Sequence, residues 1–322
     1  VFFGGQCSNS ATTVVDSEIA AGSSNALEFY GTLQDCDVTV TRCNLTADSG
    51  GNAITFGDTV SDSAISITDS DALGFNHSLH VVGVLQKTLV TVSGSTLGAT
   101  DPANTAVVLF EEGLSESPFT ATRATIVPTA GGSGVRFNAA AGNVGLKAVT
   151  MVTGAESVHF AASVAQVRIF GCDLAGGVTF TDVDAGSSVE FKDTRAVFVA
   201  FEMALVDVSV SLEGTTLSAN NTGRGTALHF DGALTDSAVE IADGCNFTAG
   251  GVSASVVTFV AEVINSPVTV ADSTLFSDFE TTGGVVFWKH INGSAVAVSN
   301  ATIDVVATCV RMRRDVISSP MS

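Results

Sequence analysis

Three kinds of side chain in this 322-residue sequence sit at spacings that invite a chemical reading. The first is the carboxylate pair. Asp35/Asp37, Asp69/Asp71 and Asp182/Asp184 each place two acids two positions apart, which is where calcium ligation or acid–base cleavage of a glycosidic bond would begin. Such a site also needs a cation, and Arg168 and Lys192 are the candidates. The three pairs fall in different repeats, and no acidic trio joins either cation. The sequence therefore assigns no catalytic residue, no metal ligand and no cofactor.

Histidine and cysteine are the second kind. His159 and His229 each precede a Phe that closes an alternating run, so both are expected on one outward face as ordinary surface groups. His77 and His80 flank a turn in GFNHSLH and are read as too isolated for a metal site. Cys43, Cys172 and Cys245 occupy a corner where other repeats carry Ser or Thr, a place for a small buried side chain. Cys7 and Cys36 lie 29 residues apart, about one repeat, and could meet as a disulfide. There is no CxxC or Cys/His cluster of the kind zinc uses.

The third kind is the hydroxyl and the sequon. Thr39/Thr41, Ser66/Thr68, Thr91/Ser93 and Thr120/Thr122 recur on four successive repeats as a two-column hydroxyl grid, which fails at Gly145/Lys147. Thr is also a favoured strand residue in its own right. Asn-x-Ser/Thr sequons stand at Asn44, Asn76, Asn220, Asn246, Asn292 and Asn300, candidates for glycosylation in a secreted or surface protein. One Trp and one Tyr leave little aromatic surface on which a sugar could stack.

The elements that carry these residues follow from a repeat. An apolar-x-apolar run, a small or polar corner and a further apolar residue recur at Val38, Ile65, Val90, Phe119, Val144, Val167, Val189, Val210, Val239, Val268 and Val296. A partner run follows most of them and ends on Phe, at Phe56, Phe110, Phe137, Phe160, Phe180, Phe230, Phe259 and Phe287. The period along each run is two, and Val, Thr, Ile and Phe are enriched, as strands require. Gly, Asp, Asn and Ser hold the joints. A unit of roughly 21 to 29 residues is too short to fold alone, so neighbours must stack. The expected fold is all-β, a right-handed parallel β-helix of about 11–12 coils. It is expected to form one domain over residues 1–310, with 311–322 a tail or the start of a following segment. A β-sandwich is the rival, but it gives no reason for a Phe to recur at the same phase.

Net charge is −20, from 33 acidic against 13 basic residues. That argues against nucleic acid and against anionic lipid as partners. No apolar run approaches the ~18 residues of a membrane span, so no membrane insertion is expected within this segment. The chain opens VFFGGQCSNS, without a Met or a secretory signal, and closes RMRRDVISSPMS, its one basic cluster, which is expected of an excerpt from something longer.

VSLEGTTLSANNTGRGTALHF from Val210 and VEIADGCNFTAGGVSASVVTF from Val239 resemble the repeats of the very large dispersed-gene-family surface proteins of trypanosomes. The resemblance is to their Ala/Val/Ser/Gly-rich, sequon-bearing, pectin-lyase-like β-helix style, and is clearest from Val167 onward. It implies an extracellular or cell-surface segment with an adhesive role. Catalytic signatures of pectate lyases and polygalacturonases are not found, so no active-site residue carries over. The expected function is non-enzymatic contact with an extracellular glycan or a matrix or host protein. A polysaccharide-active enzyme or inactive relative, and a purely structural spacer, are the alternatives.

Overall fold

The structure, a computed structural model, describes residues 1–103, 106–154, 156–219, 225–250, 255–277, 283–305, 308–313 and 316–317. Among these there is no helix. Parallel strands stack as a β-solenoid of about 11 turns. The chain divides into two compact units, Val1–Val164 with Cys172–Gly176 and Ala165–Gly171 with Gly177–Ser322.

One turn of the first unit shows the plan. Ile54–Phe56, Val60–Ser61, Ala64–Thr68 and Asp71–Gly74 are successive strands. The chain then re-enters at Leu79–Val81, with Leu79 opposite Ile54 and Val81 opposite Phe56. A turn thus has four strand positions: a Phe face, a two-residue strand, a face of the Val-x-Val type, and a corner face. In the second unit Val199–Phe201, Leu205–Val206, Ser209–Glu213 and Thr216–Ala219 repeat the series. The two-residue strand escapes sequence reading because two residues carry no alternation. In the second unit, strand pairing runs on past residue 310: Met312 is opposite Phe287, and Val316–Ile317 pairs with Ile291–Asn292.

Burial of Phe drives the stacking. In the second unit Phe180, Phe201, Phe230, Phe259 and Phe287 form one column, with ring centroids 4.7–4.9 Å apart and planes within 8°. In the first unit Phe3–Phe29–Phe56 and Phe110–Phe137–Phe160 form two such columns. Val81 stands in register between them. Each buried ring contributes about 1.5–3 kcal/mol of transfer free energy, and the rings stack at a distance favourable to aromatic pairs.

The corners use a different device. Residues that end the two-residue strand or the Val-x-Val strand adopt a left-handed conformation, and most non-glycine examples are Asp or Asn, such as Asp62, Asp69, Asp193, Asp236 and Asn265. Short polar side chains tolerate that conformation best. The next residue points inward and is small. Its hydroxyl donates to the carbonyl two residues back and accepts a backbone N–H from the preceding turn. Thus Ser266 Oγ donates to Ile264 O at 2.7 Å and accepts from Ser237 N at 3.0 Å, while Ser266 N donates to Ser294 Oγ. These ladders satisfy backbone groups that the bend takes out of the sheets. Cys43 takes the donating part of this role, with Sγ 3.3 Å from Thr41 O and from Val14 O, and Cys172 and Cys245 are buried at equivalent corners.

Candidate functional site

The outward side of the Phe face gathers the polar side chains with the most developed geometry. In the first unit Phe2, Glu28, Thr55, His80, Leu109, Arg136 and His159 occupy one register column, each one place before the column-closing residue. Their side chains point outward because successive residues of a strand alternate between faces. The turn before this strand supplies Asn25, Asn52 and His77, and the residue after it supplies Tyr30 and Glu111.

His80 is the centre of a network. Its Nε2 lies 2.8 Å from Glu111 Oε1, and its Nδ1 lies 3.1 Å from Asn52 Nδ2. The Asn52 amide is oriented by its carbonyl oxygen, which accepts from His77 N at 3.1 Å, and by a second donation to Thr55 Oγ1. An amide nitrogen can only donate, so His80 Nδ1 accepts and its Nε2 carries the proton offered to Glu111. His77 packs beside it, ring centroids 4.7 Å apart, with Nδ1 2.6 Å from Ala106 O. Burial lowers the His77 pKa, against the opposing pull of its bond to the Ala106 carbonyl. Both rings are thus held in defined tautomers at the outer surface. This arrangement can hold a proton at His80 Nε2 or offer hydrogen bonds to a ligand at its rim.

His77 and His80 thus belong to one hydrogen-bonded cluster with Asn52 and Glu111. His80 lies in a strand, at the place His159 occupies, which the sequence does not reveal because the strand closes on Val81 instead of Phe. His159 Nδ1 pairs with Glu156 Oε2 at 2.6 Å. In the second unit His229 Nε2 pairs with Asp231 Oδ1 at 2.7 Å, and its Nδ1 is buried without a hydrogen-bond partner. Among the described residues no three His, Cys, Asp or Glu converge as metal ligands.

The chain matches no protein-family model, no curated protein and no solved structure. The site must be read from its own chemistry.

The other candidate residues are placed as follows. Arg168 and Lys192, in the second unit, are each taken by a carboxylate of the next turn: Arg168 Nε is 3.4 Å from Glu190 Oε2 and Lys192 Nζ is 2.5 Å from Glu213 Oε1. Asp35 and Asp69 are left-handed corner residues, and Asp37 and Asp182 accept from the backbone N–H of Ala64 and Val183. None of these pairs joins another. Cys7 and Cys36 are bridged, with Cα atoms 6.4 Å apart. The hydroxyl grid is in register, Thr39–Ser66–Thr91–Thr120 beside Thr41–Thr68–Ser93–Thr122.

Asn44 and Asn246 are exposed at the first residue of the corner-face strand; Asn292 is exposed at the end of the strand Ile291–Asn292, with its sequon partner Ser294 buried, and Asn300 is exposed just after the strand Val296–Ser299. Asn76 is half-buried and donates to Gly50 O at 2.8 Å, and its sequon partner Ser78 is fully buried. Asn220 lies outside the described residues. No helix among the described residues is long and apolar enough to cross a membrane.

Two aromatic groups alter the sequence estimate of stacking surface. Phe2 and Tyr30 lie together on the first unit, ring centroids 6.2 Å apart. On the second unit the Arg313 guanidinium sits 3.5 Å over the Trp288 ring.

Proposed function

We propose that this chain is a non-enzymatic extracellular or cell-surface β-helix segment that makes adhesive contact with a glycan or with a matrix or host protein. The observation that carries this reading is how the charged groups suited to chemistry are used. Arg168, Lys192, His80, His159 and His229 are each engaged by a carboxylate in a pairwise contact. Such pairs keep the outward side of each unit ordered and hydrated, which suits contact better than turnover. The exposed sequon asparagines Asn44, Asn246 and Asn300 and the trypanosome-like repeat style favour an extracellular setting.

A second reading is a polysaccharide-active enzyme, favoured by one constellation. His80, with its tautomer fixed by Asn52 and its proton directed at Glu111, could act in acid–base chemistry at the Phe face. The deciding experiment is a glycan-array and extracellular-matrix binding screen on the recombinant chain, with release of reducing ends followed in parallel. Saturable binding without release supports the adhesive segment. Release abolished by His80→Ala or Glu111→Gln replaces it with the enzyme. Silence in both assays leaves a spacer.

A further inference from the structure

We infer that His80 and Asn52 form an acid-sensitive latch in the first unit, which ties His77 to the preceding turn and lets it go when the His80 imidazole takes a second proton. The device goes beyond the adhesive reading and does not depend on it.

The latch follows from which atoms can donate and which can accept. The backbone N–H of His77 only donates, so the Asn52 atom 3.1 Å from it is the carboxamide oxygen. The amide nitrogen is thereby turned toward Thr55 Oγ1 and His80 Nδ1, each at 3.1 Å. His80 Nε2 already directs its proton at Glu111 Oε1. A second proton can enter the ring only at Nδ1, the atom that accepts from Asn52.

Once it does, two donors face each other. The carboxamide has one remedy, which is to turn over. Its oxygen then accepts from His80 Nδ1 and from the Thr55 hydroxyl, but its nitrogen meets the His77 N–H, donor against donor again. One carboxamide cannot serve an imidazolium and a backbone N–H in these two places at once. Nor can it retreat, because Asn52 N is bonded to Asn25 Oδ1 at 2.8 Å. Asn52 is 8% exposed and the His80 side chain 15%, so water is poorly placed to supply the missing partner.

The charged groups around the latch are Glu111, His77 and Asp101. Glu111 is bonded to His80 and 43% exposed, well placed to balance an imidazolium. The His77 ring lies 4.7 Å from that of His80 and gives its own proton to Ala106 O. Burial opposes charging of His77, while Glu111 and Asp101 act in the other direction. Thr55 and Leu109, which flank His80 on the neighbouring strands, carry no charge. Release is local. Phe75 N and Asn76 N still donate to Gly51 O, and Ser78 N to Val107 O. What acid frees is the His77 N–H, and with it the histidine pair on the outer side of the Phe face.

The test is amide hydrogen exchange on the full chain, read residue by residue by NMR at pH 8 and pH 5, either side of the ordinary imidazole value of about 6.5. Rates are corrected for the pH dependence of exchange in an unstructured peptide. Protection of the His77 amide should fall by about tenfold or more at pH 5, as loss of a buried hydrogen bond does. The Asn52 amide is the internal reference. It is bonded to Asn25 Oδ1, one turn earlier, where Thr55 holds the register place of His80 and does not titrate. Its protection should not change. In Asn52→Asp the carboxylate accepts from His77 N and from a protonated His80 Nδ1 together, so the fall should vanish. His80→Gln should abolish it too, whereas loosening caused by titration of His77 itself would persist there. Circular dichroism checks that both variants keep the fold; if either does not, the wild-type comparison of His77 with Asn52 decides alone. His77 protection equal at the two pH values, an equal fall at Asn52, or an undiminished fall in folded Asn52→Asp or His80→Gln overturns the latch.

Discussion

His80 Nε2 lies 2.8 Å from Glu111 Oε1 across 31 residues of chain, and the contact is set by a third residue, Asn52. Asn52 is only 8% exposed and uses its carboxamide on three neighbours at once: His77 N, His80 Nδ1 and Thr55 Oγ1. The histidine that faces solvent is therefore oriented from beneath by a buried amide.

Asn52→Leu keeps the approximate volume and removes every one of these bonds. Leaving buried donors and acceptors unpaired costs about 1–3 kcal/mol, so the urea midpoint of the variant should fall. His80→Ala, at a more exposed site, should cost less. Equal losses would mean that Asn52 does not organise the cluster.

The lowered pKa of His77 gives a signed pH dependence. In the unfolded chain this imidazole takes up a proton near its ordinary value, about 6.5, while in the folded chain burial delays protonation to lower pH. Between the two values the unfolded state binds more protons, so stability rises with pH through that window. The stabilisation is present above the unfolded pKa and is lost as pH falls through the window toward the folded one. Melting temperatures measured from pH 5 to 8 should show this slope, and His77→Gln should flatten it.

Ser266→Ala tests the corner ladder in the second unit. The substitution removes the bond to Ile264 O and strands the buried N–H of Ser237. The expected loss is about 1–3 kcal/mol. Ser266→Cys, which restores a donor to the carbonyl two residues back as at Cys43, should recover part of it. Chemical denaturation of the three proteins decides the matter.

Phe230→Ala opens the centre of a ring column, between Phe201 at 4.9 Å and Phe259 at 4.8 Å. Truncating a fully buried Phe costs about 3–5 kcal/mol. Because each turn contacts only its neighbours, the damage should begin locally. Hydrogen exchange should show lost protection first at Val199–Phe201 and Val257–Phe259. Uniform loss over the whole second unit would contradict a nearest-neighbour solenoid.

Phe at a constant phase, small residues at corners and period-two alternation are written into the sequence, because each is a demand that every turn makes on its own residues. They determined the class of fold, the inward course of Cys43, Cys172 and Cys245, and the outward course of His159 and His229. The contacts on the outer surface were decided only by the tertiary structure. Two side chains that touch across turns, such as Phe2 and Tyr30 or His80 and Glu111, are separated by a whole turn whose length varies along the chain. One altered landmark is enough to hide the register: Val81 in place of Phe concealed the strand that carries His80. The physical reason lies in the spacing. Neighbours ~4.8 Å apart in the stack are far apart along the chain, and no local pattern of residues reports which outward groups meet.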